Sequence, residues 1–139
     1  MRGGKNVEYL LTIQGRLDNL NDFIKANRTN KYKGAECKAE NEQICIWHIK
    51  QQLKGIRIIN PVIMRYKWYE KNMCRDLDNI SSFGRKVIQD SLVKTSVLLN
   101  DGWKDIIGFS DDFYVDAKNP RIEVQIIEVK DDGRLHKVR

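Results

Sequence analysis

Two aspartates separated by one residue, Asp76 and Asp78, stand directly before a segment with helical spacing. A third aspartate, Asp101, lies in an Asn-Asp-Gly turn sequence after the next apolar run. Carboxylate oxygens are the ligands that a hard cation such as Mg²⁺ takes in proteins, where it also keeps several waters. Such an ion polarises a phosphoryl oxygen and lowers the pKa of a bound water. These residues therefore predict a Mg²⁺ site that acts on phosphate esters.

The spacing around these aspartates adds detail and leaves a plainer interpretation open. Residues two apart in an extended segment point the same way, so Asp76 and Asp78 are expected to face one cation while Leu77 turns into the core. Lys86, about two helical turns further on, is placed to stabilise negative charge in a transition state. The plainer interpretation is structural, because Asp78 or Asn79 is also a suitable helix N-cap and Asn-Asp-Gly is a common turn.

The charge distribution indicates a polyanionic partner. The 139-residue chain has a net charge of +6, and residues 1–75 hold 15 of its basic residues but only 7 of its acidic ones. Residues 76–139 hold 10 and 12. Basic surface beside an acidic metal site suits a phosphodiester substrate, although a solvated basic face without a partner has the same composition. The candidates for contact with a phosphate backbone are Arg28, Lys31, Lys33, Arg65, Lys67 and Arg75.

Other classes of protein are not favoured by the sequence. No apolar run approaches the roughly 20 residues that span a bilayer, and residues 1–5 do not resemble the start of a secretory signal, so no membrane association and an intracellular, cytoplasmic location are expected. The three cysteines form no Cys-x-x-Cys pair. The sequence has no Walker loop and no Gly-x-Gly-x-x-Gly, so no organic cofactor is expected.

Hydrophobic patterning predicts one α+β domain over residues 1–139 with the element order β-α-β-α-β-β. Such an order favours a small mixed sheet of about four strands with helices packed on one face. The last two strands are close enough in sequence to form a hairpin, and residues 130–139 are expected to be a frayed charged tail. Predicted strands cover 7–13, 61–69, 106–115 and 122–127, and predicted helices cover 35–53 and 79–94, with a shorter helix ending near Lys25.

The acidic motif and its surroundings resemble the RusA family of Holliday junction resolvases. The resemblance is carried by Arg75-Asp76-Leu77-Asp78-Asn79, by the helix with Lys86 and Asp90, and by Leu98-Leu99-Asn100-Asp101-Gly102-Trp103. Phage and prophage members are similar also in Gly15-Arg16-Leu17-Asp18-Asn19-Leu20-Asn21 and in the segment with Asp116, Asn119-Pro120-Arg121 and Ile122-Glu123-Val124. The similarity runs from about residue 7 to residue 128.

This resemblance implies a fuller function. Members of the family are homodimers that bind four-way DNA junctions in recombination and repair and nick two strands, using Mg²⁺ or Mn²⁺. The family's essential aspartates would fall on Asp76, Asp78 and Asp101, its lysine on Lys86, and Asn21 would match an asparagine of the first loop. One departure is an apparent insertion of about one helical turn before Lys86. The alternatives are another Mg²⁺-dependent nuclease acting on flaps or branched DNA, or a non-enzymatic basic DNA-binding module.

Overall fold

The computed structural model describes residues 6–130 and confirms the α+β fold. Three helices pack with a four-stranded mixed sheet. The short predicted helix is a full helix of its own, Leu20–Thr29, and the next helix begins at Lys31, four residues earlier than predicted. The predicted tail at residues 130–139 lies outside the described residues except for Lys130. The elements in chain order are β1 (Val7–Gln14), α1 (Leu20–Thr29), α2 (Lys31–Gln52), β2 (Val62–Glu70), α3 (Leu77–Lys94), β3 (Ile106–Val115) and β4 (Arg121–Glu128).

The strand order of the sheet is β1-β4-β2-β3, and it shows that the predicted hairpin is wrong. β4 is antiparallel to both β1 and β2, whereas β3 is parallel to β2 and does not touch β4. The chain between β3 and β4 passes over the end of β2, where the Asp116 N–H donates to the Glu70 carbonyl at 2.7 Å. A short connection favours a hairpin. Here the β2-α3-β3 crossover places β3 beside β2, and β4 pairs with the other side of β2 instead of with β3.

The core lies between one face of the sheet and the helices α2 and α3. The predicted core face of β2 is confirmed, since Val62, Met64, Tyr66 and Trp68 are each 1% exposed or less. β4 buries every second side chain on the same side. From the helices come Cys45, Ile49, Val87, Ile88 and Leu92. The other face of the sheet carries Arg65 and Lys67 and is not covered by any described helix, as alternation along β2 requires.

The two edges of the sheet differ in how their backbone groups are satisfied. On β1, the Gln52 side chain accepts from the Thr12 N–H and donates to the Thr12 carbonyl, both at 2.7 Å. The Gln14 N–H donates to Nε2 of His48 at 3.3 Å, so side chains of α2 bond the C-terminal half of this edge. β3 forms the opposite edge, is ten residues long, and exposes Phe109, Tyr114 and Val115. A long edge with exposed apolar side chains is a template for pairing with another strand.

We expect Gly84→Ala to destabilise the protein strongly. Gly84 lies in the buried face of α3, and a Cβ placed there would be 2.6 Å from the indole ring of Trp68. Trp68 cannot easily move because it is 1% exposed and its Nε1 donates to Asp111 at 2.9 Å. Overpacking of this kind costs about 1–3 kcal/mol in the free energy of unfolding, which urea titration measures.

The matched control for this substitution is Gly102→Ala. The nearest atom to a Cβ at Gly102 is Oδ2 of Asp105 at 3.7 Å, an ordinary contact distance, so this variant should unfold at nearly the wild-type urea concentration. Equal effects of the two substitutions would show that the packing of Trp68 against Gly84 does not limit stability.

Candidate functional site

Asp76 and Asp78 lie at the N-terminus of α3, and neither side chain makes a hydrogen bond or an ion pair in the described fold. Asp76 is the N-cap residue with an extended backbone but makes no side-chain capping bond, and Asp78 is in the first turn. Both are exposed, and within residues 6–130 neither carboxylate has a hydrogen-bond or ion-pair partner. The prediction of Asp78 or Asn79 as the N-cap is wrong, because the helix starts at Leu77. Capping therefore does not account for these carboxylates.

The predicted burial of Leu77 is also wrong. Leu77 is 56% exposed, whereas the apolar stripe of α3 begins at Ile80, which is 5% exposed. The prediction assumed an extended backbone through Asp78, but residues 77 and 78 are already helical. Side chains of a helix follow a period of 3.6 residues, so the alternation of a strand no longer directs Leu77 inward.

A groove of about 530 Å³ opens beside Asp76. It lies between the end of β2, the start of α3 and the end of β3, with Phe113, Tyr114 and Val115 along one wall. The other carboxylate in its lining, Glu70, is buried and held by Arg16 at 3.2 Å. Asp76 is thus the carboxylate of this groove that remains available to a ligand.

Arg75 holds the segment before Asp76 against the β1–α1 connection. Its Nη1 donates to the Leu17 carbonyl at 2.9 Å, and its Nη2 lies 3.4 Å from Oδ2 of Asp22. Glu70 is a further neighbour at 3.9 Å. The guanidinium predicted to contact DNA is therefore already engaged within the fold, and its clear role is to fix the position of the acidic motif.

Lys86 and Asp101 are brought together in the structure. Nζ of Lys86 lies 3.2 Å from Oδ2 of Asp101 and 3.0 Å from Oδ1 of Asp90. The three residues line a small groove of about 250 Å³ along the second half of α3, together with Val93, Lys94 and Asn100. The hydrogen bond to Asp90 raises the pKa of Lys86 above its usual range, against partial desolvation, and the bond to Asp101 acts in the same direction.

Asp101 is not brought to Asp76 and Asp78 within one chain. Lys86, its partner, follows Asp78 by eight residues, or about 12 Å along the helix axis. Asp76 and Asp101 line different grooves. Within residues 6–130 no group of three or more His, Cys, Asp or Glu side chains is arranged to hold a metal ion. One chain thus supplies a pair of free carboxylates in one place and a Lys86–Asp101 pair in another.

Asp90 and Lys38 are site residues that the sequence reasoning missed. Asp90 bridges Lys86 and Lys38, the latter at 2.9 Å. Partial burial would raise the pKa of Asp90, yet hydrogen bonds from Lys38 and Lys86 overcome it, and the pKa of this carboxyl lies below its usual range. Lys38 also lies 4.0 Å from the buried Glu42, and Nζ of Lys94 lies 2.6 Å from Oε1 of Glu42. The i,i+4 spacing of Lys86 and Asp90 is a pattern in the sequence from which their ion pair could have been predicted. The contact of Asp90 with Lys38 on α2 leaves no such pattern.

We expect Asp90→Asn to lower the free energy of unfolding at neutral pH by about 1.5–2 kcal/mol, the low end of the range for hydrogen bonds to charged groups, because Lys38 and Lys86 are partly exposed. A carboxyl with a depressed folded pKa contributes stability above its unfolded pKa, and this contribution is lost as the pH falls through the folded value. The difference from wild type should therefore shrink below about pH 4. Urea unfolding of both proteins at neutral pH and at about pH 3 measures this difference in the free energy of unfolding. The control is Glu40→Gln, which neutralises an exposed carboxylate. A difference that is the same at both pH values would contradict this role.

The remaining predicted DNA-contact residues are dispersed over the surface. Asn21 and Arg28 are exposed on α1, and Lys31 and Lys33 are exposed in the first turn of α2. Arg65 and Lys67 are exposed on the open face of the sheet, where they line a groove of about 410 Å³. In the sheet register Lys67 stands between Glu123 and Asp112. These side chains are accessible to a polyanion, but they do not form one continuous patch.

Comparisons with known proteins leave the resemblance as a prediction. No family model matches the chain, and a search of curated proteins also finds no match. Among the described residues, no helix has both the length and the apolar character needed to cross a membrane.

Proposed function

We propose that this protein is a Mg²⁺-dependent endonuclease that resolves four-way DNA junctions. The observation that carries the proposal is the pair Asp76 and Asp78, two exposed carboxylates that have no partner within residues 6–130, and Asp76 lines an open groove. Carboxylates without a partner in the described fold are available for a ligand. Its oxygen donors fit Mg²⁺, with Mn²⁺ as a substitute. The basic N-terminal half supports a phosphodiester substrate.

Each residue of the proposed site has its own role in binding the metal ion or the phosphate. Asp76 and Asp78 bind the cation, which when bound supplies Lewis acidity toward a phosphate oxygen. Asp101 adds a third carboxylate. Lys86, held by Asp90, keeps an ammonium group beside Asp101, where it neutralises charge that builds up on the phosphate. Arg75 keeps the acidic motif in place from within the fold.

A homodimer would bring the separated carboxylates together. β3 begins near Asp101 and ends in the wall of the groove beside Asp76. A second copy that pairs its β3 antiparallel to the first would bring the start of its own β3 beside the end of the first. Asp101 of the second copy would then approach Asp76 and Asp78 of the first, and two-fold symmetry would repeat the arrangement. Each site would contain residues of both copies.

The difference between the two sheet edges supports this mode of pairing. The C-terminal half of the β1 edge, at Thr12 and Gln14, is bonded to Gln52 and His48, whereas β3 is a long edge strand that carries exposed Phe109, Tyr114 and Val115. A four-way junction also has two-fold symmetry, so a symmetric dimer with two sites is able to nick two opposed strands. The proposed setting is the cytoplasm of a bacterium or of a phage-infected host, where such junctions arise.

A panel of labelled DNA substrates tests the activity. We expect Mg²⁺-dependent nicking of a four-way junction at symmetric positions and much slower cleavage of a flap or a plain duplex. Preferential cleavage of the flap would replace junction resolution with a different branched-DNA nuclease.

A non-enzymatic DNA-binding module is the second candidate. The direct ion pair between Lys86 and Asp101 favours it, because it gives Asp101 a structural partner. Thermal unfolding with and without Mn²⁺ separates the two candidates. A raised midpoint with Mn²⁺ supports the nuclease, whereas an unchanged midpoint together with no divalent-dependent nicking supports the binding module.

A further inference from the structure

A basic groove that the sequence reasoning did not identify lies between the C-terminal ends of α2 and α3. Its volume is about 430 Å³, and its charged lining residues are Lys50, Lys54 and Arg57. The other three grooves described above each include at least one carboxylate in their lining. The lining of this one includes none among the described residues. The charged groups of its lining are therefore all positive.

The three cations of this groove are free of ion pairs. All are exposed, and none forms a salt bridge with any residue in 6–130. By contrast, Lys38, Lys86 and Lys94 on the neighbouring surface are each paired with a carboxylate. The groove therefore concentrates positive charge that the fold itself does not neutralise.

The shape and floor of the groove suit an extended polyanion. The floor is formed by Ile49, Leu53 and Val97, all buried, which is the kind of apolar surface along which lysine stems pack while their ammonium groups reach solvent. Lys50 lies in the last turn of α2 and Lys54 follows the C-cap residue Leu53, and both side chains line the same groove. Each strand of DNA presents a phosphate about every 3.4 Å along the duplex, so a strand in the groove would offer a phosphate to each cation.

The position of the groove connects it to the proposed reaction site. Lys94 lines the groove of Lys86 and Asp101, and the adjacent Thr95 lines the basic groove. A DNA strand that leaves Asp101 along the end of α3 would therefore reach the basic groove. The exposed lining carries charged and polar groups with the apolar side chains buried beneath, which suits a phosphate backbone better than a lipid surface.

We propose that Lys50, Lys54 and Arg57 bind the phosphate backbone of a duplex arm of the DNA substrate. This inference rests on the proposed function for the identity of the polyanion, but binding at the groove does not require metal or cleavage. Neutralising a cation that contacts a phosphate lowers the salt dependence of binding by about 0.9 per contact. The basic groove thus adds a sequence-independent contact remote from the carboxylates.

The test compares Lys50→Gln/Lys54→Gln with the control Lys118→Gln/Lys130→Gln, which removes the same charge from exposed lysines elsewhere that have no ion-pair partner within residues 6–130. Fluorescence anisotropy of a short labelled duplex, in EDTA and over a range of NaCl concentrations, gives the slope of log affinity against log salt. We expect the groove variant to lose about 1.8 from this slope and the control to lose little. Equal losses, or none, would overturn the inference, provided that both variants keep the wild-type unfolding midpoint.

Two further outcomes separate this inference from the proposed nuclease. A lower slope in a protein that cleaves no junction would keep the groove and remove the nuclease. Junction cleavage by the wild type, together with an unchanged salt slope in the groove variant, would keep the nuclease and remove the groove. Binding to phosphatidylserine vesicles that is stronger than binding to duplex, and is lost in the groove variant, would replace DNA by a membrane surface and so overturn the inference.

Discussion

Asp76→Asn and Asp78→Asn are each expected to reduce Mg²⁺-dependent junction cleavage by about 100- to 1000-fold, the range seen when one preorganised electrostatic group is removed from an active site. The amide keeps the size of the side chain but removes the negative charge that holds the cation. Neither carboxylate has a partner in the described fold, so stability should remain near that of the wild type. Single-turnover cleavage of a labelled junction measures the loss.

Junction affinity is the necessary companion measurement. In Ca²⁺ or EDTA both variants should bind the junction as well as the wild type or better, because a negative charge has been removed near the DNA. Glu40→Gln, which neutralises an exposed carboxylate on α2, is the matched control and should cleave normally. Wild-type cleavage rates in either aspartate variant would remove these residues from the metal site.

Two inactive variants are expected to recover activity when they are combined in one dimer. One is Asp76→Asn/Asp78→Asn, and the other is Asp101→Asn. If each site takes Asp76 and Asp78 from one copy and Asp101 from the other, a mixed dimer contains one site with all three native aspartates and one with none. Each variant alone forms only damaged sites. Nicking should therefore reappear, on a single strand, after co-expression or subunit exchange.

The same mixture distinguishes a shared site from a site within one chain. If all three aspartates of a site came from one copy, every site in every dimer would lack at least one of them, and mixing would restore nothing. A second arm adds an edge mutation, Phe109→Lys, which should weaken dimer formation by placing a charge on β3. Sedimentation velocity measures that effect. Cleavage by a protein that remains monomeric would contradict the shared site.

The strands were predictable where local alternation determines burial. Val62, Met64, Tyr66 and Trp68 recur at every second position, and the structure buries all four. The pairing of β3 was not predictable in the same way, because it depends on contacts with β2 that are distant in sequence. A connection of only five residues, 116–120, favours a hairpin unless β2 is known to lie between the two strands.

The candidate site was predictable in its residue types but not in its arrangement. Acidic residues before a helix and in a turn were sufficient to propose Asp76, Asp78 and Asp101 as candidates. Their separation along α3 became visible only from the contact of Asp101 with Lys86. Asp90 was missed as a site residue because its role depends on Lys38, which reaches it from another helix. Side-chain contacts between helices leave no periodic signal in the sequence.

The most direct test of the proposed function is a time course on a supercoiled plasmid that extrudes a cruciform, with and without Mg²⁺. Paired nicks made across the four-way junction within one binding event convert the supercoiled circle directly into linear DNA. We expect linear product with Mg²⁺, none in EDTA, and none from a plasmid without the inverted repeat. If wild-type protein binds the cruciform but leaves the plasmid supercoiled in Mg²⁺ and in Mn²⁺, the proposed nuclease function is contradicted.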